Sequence, residues 1–330
     1  MKEWFSLSTD QRREIFNQVS IQSGLPPAAV EKDWWVSRAL NAVFDLPFAQ
    51  HLVFKGGTSL SKGWSLIERF SEDIDLAIDR SFLGFEGDLS KTQVRKLRKA
   101  SCAFIEGEFL KVLTDKIKEL EIPDVELLVQ DFKDSDTDPL VIEWNYPALT
   151  EQNEYLRPRV LIEIGSRSLM EPVEPREIHS LVGQQYSDQA FADKPFNVQT
   201  VLPKRTFLEK IFLLHEEFQK PAEHIRVDRL SRHLYDIEKL MDTDHGQQAL
   251  EDQALYDAIV AHRQVFNPIR GIDYANHAKD KLNFIPPEAV IKAWESDYQT
   301  MQESMIYGES LKFEALIGRL EELLSKLNPK

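Results

Sequence analysis

The sequence predicts an α+β fold: a mixed sheet flanked by helices over residues 1–202, then a helical C-terminal domain over 203–330 that completes the site. Three observations carry this expectation. Residues 52–78 read as strand, Gly-Gly turn, helix and strand in one run. Segments 125–132, 140–144 and 159–164 have strand patterns, the first two separated by the Asp-rich turn DSDTD. From residue 203 onward, apolar residues recur at three- to four-residue steps, the period of helices that bury one face.

In chain order, Ser8 or Thr9 can cap a first helix reaching residue 19, with Ile15 and Phe16 inward. Leu25-Pro26-Pro27 breaks the chain, and proline at a helix start opens a second helix over 28–44. Its Val30, Trp34, Leu40, Val43 and Phe44 face a core, and Glu31, Lys32, Asp33 and Arg38 form a polar side from which Arg38 can reach a phosphate or solvent. Leu52, Val53 and Phe54 make a short buried strand that stops at Gly56-Gly57. Thr58 or Ser59 then caps a helix whose Leu60, Trp64 and Ile67 share a face. From 70 to 78 the chain alternates, so Asp73 and Asp75 project from one side of a strand, opposite Ile74, Leu76 and Ile78.

Two carboxylates side by side on a rigid strand repel each other and lose hydration, which points to a cation between them. Glycines let backbone N–H groups approach a phosphate, and a helix start adds its positive end. Mg²⁺ prefers oxygen ligands and bridges to substrate phosphates. Together these features indicate nucleoside triphosphate chemistry. GGTSLSKG does not supply the GxxxxGK[ST] of a P-loop, so a P-loop ATPase is disfavoured.

After a loop with Gly84 and Gly87, a helical pattern runs over 91–120. It opens with Lys91, Arg95, Lys96, Arg98 and Lys99 and no acid, a block that can steer an RNA backbone or form a solvated face. In 159–164, Val160 and Ile162 face one way and Arg159, Leu161 and Glu163 the other. Neither face is wholly polar, which predicts burial on both sides and asks for a reason for Glu163, a pairing with Arg157 or Arg159 being one. Thr206 and Glu209 form a capping-box pattern that places Lys210 near the first turn of a helix reaching 218, with Phe207, Ile211 and Leu214 inward. Lys210 is then either a surface residue or one that reaches a triphosphate. A further helix over 228–241 spaces Arg229, Arg232, His233 and Asp236 about a turn apart, with His233 either a metal ligand or a hydrogen-bonding side chain. The tail, 311–327, is amphipathic and leucine-rich.

With 330 residues, 42% of them hydrophobic, the chain can bury a substantial core. No run of about 18 apolar residues and no signal-peptide pattern is present, so a cytoplasmic protein without a membrane span is expected. A single cysteine, Cys102, excludes an internal disulfide and a cysteine-rich zinc site and reads as a core thiol. The net charge of −15 argues against nonspecific polyanion binding, so a nucleic acid would dock on a local basic patch.

Gly-Gly-Thr followed by Asp-x-Asp resembles the polymerase beta-like nucleotidyltransferase superfamily, with a gap from Gly57 to Asp73 longer than in its minimal members. The fuller segment KGGTSLSKGWSLIERFSEDIDLAID is similar to the signature of the AbiEii/AbiGii-type nucleotidyltransferases, toxin components of bacterial type IV toxin–antitoxin and abortive-infection systems. The resemblance extends to VEKDWWVSRAL, TFLEKIFLL, SRHLYDIEKL and MIYG, and so spans most of the chain.

The resemblance implies a nucleotidyltransferase-like fold and an NTP-using enzyme dependent on Mg²⁺ or Mn²⁺. The family's Gly-Ser turn corresponds to Gly56, Gly57 and Thr58, its DxD to Asp73 and Asp75, its third-motif lysine to Lys210, and the aspartate of its RDxYD-like motif to Asp236. His233 stands where that motif has its first aspartate. On this reading Gly56, Gly57, Thr58, Ser59 and Lys210 hold the nucleotide and Asp73, Asp75 and Glu163 hold metal, Glu163 being the candidate for the superfamily's third carboxylate. Glu163 or Asp236 orients or deprotonates the acceptor hydroxyl. The implied acceptor is RNA, in some members a tRNA 3′ end, and the implied protein partner is an antitoxin. Two other readings stay open: an NTP-binding interaction module without transfer activity, and transfer to a small molecule or a protein hydroxyl.

Overall fold

A computed structural model describes residues 2–71, 73–132, 134–151 and 156–328. The chain forms two units, Met1–Gly63 with Phe70–Thr200, and Trp64–Arg69 with Val201–Lys330.

The first unit is built on a seven-stranded mixed sheet: β1 (Leu52–Lys55), β2 (Asp73–Ile78), β3 (Glu126–Val129), β4 (Leu140–Asn145), β5 (Arg159–Gly165), β6 (Val173–Ile178) and β7 (Phe196–Val201). Their order is β3-β4-β5-β2-β1-β7-β6. β1 runs antiparallel to β2 and parallel to β7, β2 is parallel to β5, and β4 is antiparallel to β3 and β5. Strand alternation gives the sheet its sidedness. Ile74, Leu76, Ile142, Trp144, Val160, Ile162 and Ile164 are fully buried on one face and share a core with Trp34, Val36, Leu40 and Val43. The opposite face carries Asp73, Asp75, Leu161 and Glu163, all partly accessible. β5 is therefore sealed on one side only, against the expectation of burial on both.

The helices differ from the sequence reading chiefly at their ends. Ser8 caps Thr9–Ser23 in a full capping box, and Pro27 opens Pro27–Phe44. That second helix is buried nearly all round, so its supposed polar side is inside. Glu31 accepts from the N–H groups of Leu149 and Thr150, Lys32 donates to the Arg157 carbonyl, and Arg38 pairs with Asp193 at 3.1 Å. Each buried charge thus has a partner, as burial demands. Lys91 to Glu119 is helical throughout, with a wider π-type turn at Ile105–Phe109. The edge strand β6 and β7 were not anticipated. β6 contains Pro175 and exposes half its residues, an edge strand's pattern that hides the usual alternation.

The second unit is helical: Pro203–Phe218, Arg232–Met241, Asp244–Glu251, Gln253–Phe266, Ile291–Ser304 and Phe313–Leu327 are its helices of eight residues or more. The first begins at Pro203 and not at Thr206, because proline takes the first-turn position where its missing N–H costs nothing. Lys210 therefore lies in the body of the helix. Phe207, Ile211, Leu214, Leu234, Ile237 and Leu240 form its core. Residues 64–69, expected to continue the helix after the glycines, instead form a connecting segment in this unit. Ser65 has φ +53°, the Trp64 indole donates to the Val201 carbonyl at 3.0 Å, and Arg69 bridges to Ile306. No helix among the described residues is long and apolar enough to cross a membrane.

Candidate active site

In the first unit, β1 ends at Lys55 and the chain turns directly into a short helical run from Gly56 to Gly63. Gly56 sits at φ +78°, a left-handed conformation open to glycine at little cost. A Cβ placed there would lie 1.9 Å from Asp75 Oδ2 and 2.7 Å from its Cγ. The missing side chain is thus the space the Asp75 carboxylate occupies, and the glycine turn and the second aspartate of β2 converge on one point. The first N–H groups of a helical run have no intrahelical acceptor. At Gly56–Thr58 they begin beside a carboxylate that can carry a cation.

The two hydroxyls of the turn face inward. Thr58 is fully buried; its Oγ1 donates to the Asp73 carbonyl at 2.5 Å and shares a 2.8 Å hydrogen bond with Ser71. Ser59, also fully buried, donates to the Gly56 carbonyl at 2.8 Å. Thr58 locks the turn to the start of β2 and Ser59 closes the turn on itself, so both hydroxyls are engaged within the protein. The far end of the run is tied down as well: Arg176 Nε donates to the Gly63 carbonyl at 2.9 Å, and Lys62 pairs with Asp33.

Register fixes what accompanies the aspartates. Asp75 is paired with Glu163 on β5 and with Lys55 on β1, and Asp73 with Leu161. Paired residues point to the same face, so Lys55, Asp75 and Glu163 form one row across three strands. Arg159 pairs with Glu143, one of the two arginines considered for Glu163 thus having a different carboxylate. Among the described residues no three His, Cys, Asp or Glu side chains are gathered into a closed metal cluster. Asp73 and Asp75 nevertheless fit Mg²⁺, which takes one or two carboxylates and completes its shell with water and substrate phosphate.

The second unit contains a buried charged cluster. Asp236, fully buried, accepts Arg69 in a two-pronged pair, Nε and Nη2 each at 2.7 Å, and Lys210 Nζ at 2.8 Å. His233 Nδ1 lies 3.3 Å from Lys210 Nζ. Burial alone would raise the Asp236 carboxyl, but Arg69 and then Lys210 outweigh it and hold it far below the usual carboxylate range. Burial lowers Lys210, aided by Arg69 and Arg232 against Asp236. Burial, Lys210 and Arg232 push His233 well below an ordinary imidazole, so it is neutral. Lys210, Asp236 and His233 of the sequence reading thus come together in this unit. Arg69 was missed; with Glu68 beside it and Ser71, Glu72 and Asp73 close behind, nothing in the sequence sets it apart from a surface charge.

A mixed sheet that sets a Gly-Gly turn beneath an Asp-x-Asp strand, with a carboxylate in register on the next strand, is the arrangement of a nucleotidyltransferase domain. The family comparison agrees, with a model described as "Nucleotidyl transferase AbiEii toxin, Type IV TA system" matching residues 38–319. The chain belongs to this family. Among solved structures it is similar to the nucleotidyltransferase toxin MenT4 of Mycobacterium tuberculosis, at 17% identity and a TM-score of 0.45 over 94% of this chain and 98% of that one. No curated protein matches it.

Proposed function

We propose that the chain transfers a nucleotidyl group from an NTP to a hydroxyl of RNA, the tRNA 3′ end being the first acceptor to test, with Mg²⁺ or Mn²⁺ as cofactor. In this role it acts as the toxin of a cytoplasmic type IV toxin–antitoxin pair. The observation that carries the reading is the placement of the Asp75 carboxylate in the space where Gly56 lacks a side chain.

The reaction joins the acceptor oxygen to the α-phosphorus as the bond to pyrophosphate breaks. Backbone N–H groups at Gly56 and Gly57 hold phosphate oxygens, and Asp73 and Asp75 hold the metal. When bound, Mg²⁺ offsets charge on the phosphates and polarises the α-phosphorus. A base must have affinity for a proton near the working pH, and Asp236, doubly paired with cations, does not. Glu163 therefore takes the acceptor proton, and Asp236 holds Lys210 in place. The exposed Lys91, Lys96 and Lys99 on the helix Lys91–Phe104 offer an RNA backbone charge that no acid of that helix cancels.

Incubation with labelled NTPs, Mg²⁺ and total RNA tests the proposal. Label should appear covalently on RNA, vanish with EDTA and return with added Mg²⁺ or Mn²⁺. Asp73→Ala and Asp75→Asn should lower the rate by about 10³-fold or more without loss of fold. Saturable NTP binding with no labelled product would instead identify a binding module.

A further inference from the structure

On the side of the sheet away from Asp73 and Asp75, the first unit holds a cavity of about 190 Å³. Its floor is aromatic: Trp4, Phe16, Trp34 and Trp35 line it, all buried and in the same core as Ile74 and Leu76 of β2. Trp4 stacks on Trp34 with ring centroids 4.8 Å apart, and Trp35 on Tyr146 at 4.9 Å, so the walls brace one another. Pro123, Asp124 and Pro147 form an exposed rim through which a ligand can enter. Two side chains of the lining carry a buried donor that meets no acceptor among the described residues, the Nε1–H of Trp34 and the Nε–H of Arg12. The Arg12 guanidinium lies over the Phe5 ring at 5.8 Å. Glu31 attracts it, but the Glu31 oxygens accept from the N–H groups of Leu149 and Thr150 and from the Thr150 hydroxyl. Indole and guanidinium nitrogens only donate, so no change of tautomer or ring flip satisfies them. A buried donor without an acceptor is costly, and an acceptor that enters the cavity removes that cost.

We propose that this cavity is a binding site for a small aromatic carboxylate, its ring against the tryptophan floor and its oxygens accepting from Arg12 Nε and Trp34 Nε1. A dry cavity of about 150 Å³ holds benzene, so the space here suits one six-membered ring with a carboxylate. It falls short of the roughly 300 Å³ at which sites for larger ligands begin. A carboxylate brings two oxygens to two donors, and its bond to a guanidinium is charge-assisted. A bare ring would leave both donors unmet, and an ammonium has no acceptor to offer. Asp124 on the rim opposes an anion, but water screens it in its exposed position. The sheet lies between this cavity and the row of Asp75 and Glu163, so the inference does not rest on the transferase reading.

Titration calorimetry on the full chain at neutral pH tests this with three probes: benzoate, acetate as a carboxylate without a ring, and benzylamine as a ring with the opposite charge. Benzoate should bind with a Kd of about 1 mM or below, and acetate and benzylamine at least about tenfold more weakly. Tryptophan emission should change with the same midpoint as the benzoate titration. Arg12→Met keeps the apolar stem and removes the donor, and should weaken benzoate about tenfold. Trp34→Phe removes the other donor and should weaken it by about three- to tenfold. Each variant is first checked for a wild-type circular dichroism spectrum; Arg12, only half-buried, carries the test if Trp34→Phe does not fold. Asp124→Asn, at a φ of +57° that asparagine tolerates, should bind benzoate as wild type does or up to about threefold more tightly. Absence of benzoate binding at about 10 mM overturns the proposal. So does wild-type affinity in Arg12→Met or in a folded Trp34→Phe, and so does binding of acetate or benzylamine as tight as that of benzoate.

Discussion

Gly56 is the residue where conformation and chemistry meet most closely. A side chain there must adopt φ +78°, at a cost of about 1–2 kcal/mol, and must also displace the Asp75 carboxylate. Gly56→Ala should therefore behave as two lesions. Chemical denaturation should show a loss of stability of about 1–3 kcal/mol, and transfer activity should fall as far as in Asp75→Asn, because the carboxylate can no longer sit against the turn. A Gly56→Ala protein with wild-type turnover would show that the close approach has no part in the reaction. The identity of this residue was legible in the sequence, since Gly-Gly between a strand and a helix start asks for special backbone geometry. Its contact with Asp75 was not, because 19 positions of irregular spacing separate the two and only β1–β2 pairing brings them together. The same limit hid the inward rotation of Thr58 and Ser59: a hydroxyl after a glycine turn looks the same in sequence whether it faces a ligand or the strand behind it.

At the scale of elements, the joint between the helical run and β2 is made by Thr58. Its hydroxyl is the donor to the Asp73 carbonyl and the link to Ser71, in a fully buried position. Thr58→Val keeps the shape and removes the donor, so a buried carbonyl loses its partner at a cost of about 1–3 kcal/mol. Thr58→Ser keeps the donor and loses one methyl group, about 1 kcal/mol. Urea denaturation should separate the two variants, with Thr58→Val the less stable and its metal-dependent NTP binding weaker, since the start of β2 is no longer held to the turn. Equal stability for Thr58→Val and wild type would mean that backbone pairing alone sets the joint. Elements with strong internal periodicity, β2, β4 and β5 and the helix Pro27–Phe44, could be read from the sequence. Those defined by neighbours could not. β7 owes its place to a parallel pairing with β1, the helical run ends at Gly63 where Arg176 of β6 takes its carbonyl, and Pro203 in place of Thr206 sets the start of its helix.

Over the whole molecule, the second unit's buried histidines set how the chain responds to acid. His233 and His215 both titrate below the ordinary imidazole value in the folded state, mainly through burial, with Lys210 and Arg232 acting on His233 and His277 on His215. When folded values are depressed, the unfolded chain binds more protons as pH drops through about 6.5, so stability is full above that pH and declines below it. Each histidine can contribute at most about 1.4 kcal/mol per pH unit in that window. Carboxylates add a second phase. Asp236, Glu216 and Glu217 are held low by Arg69 with Lys210, by Arg263 with His277, and by Arg226 with Lys220, in each case against the opposing effect of burial. Their contribution is complete above about pH 4.5 and is lost as pH falls below it. Calorimetric melting of the full chain should therefore be nearly level from pH 8 to 7, fall between pH 6.5 and 5, and steepen below pH 4.5. His233→Asn should flatten the middle range by removing one of the two groups that the unfolded chain protonates first. A melting temperature that stays constant from pH 7.5 to 5 in the wild type would mean that neither histidine is held neutral by the fold.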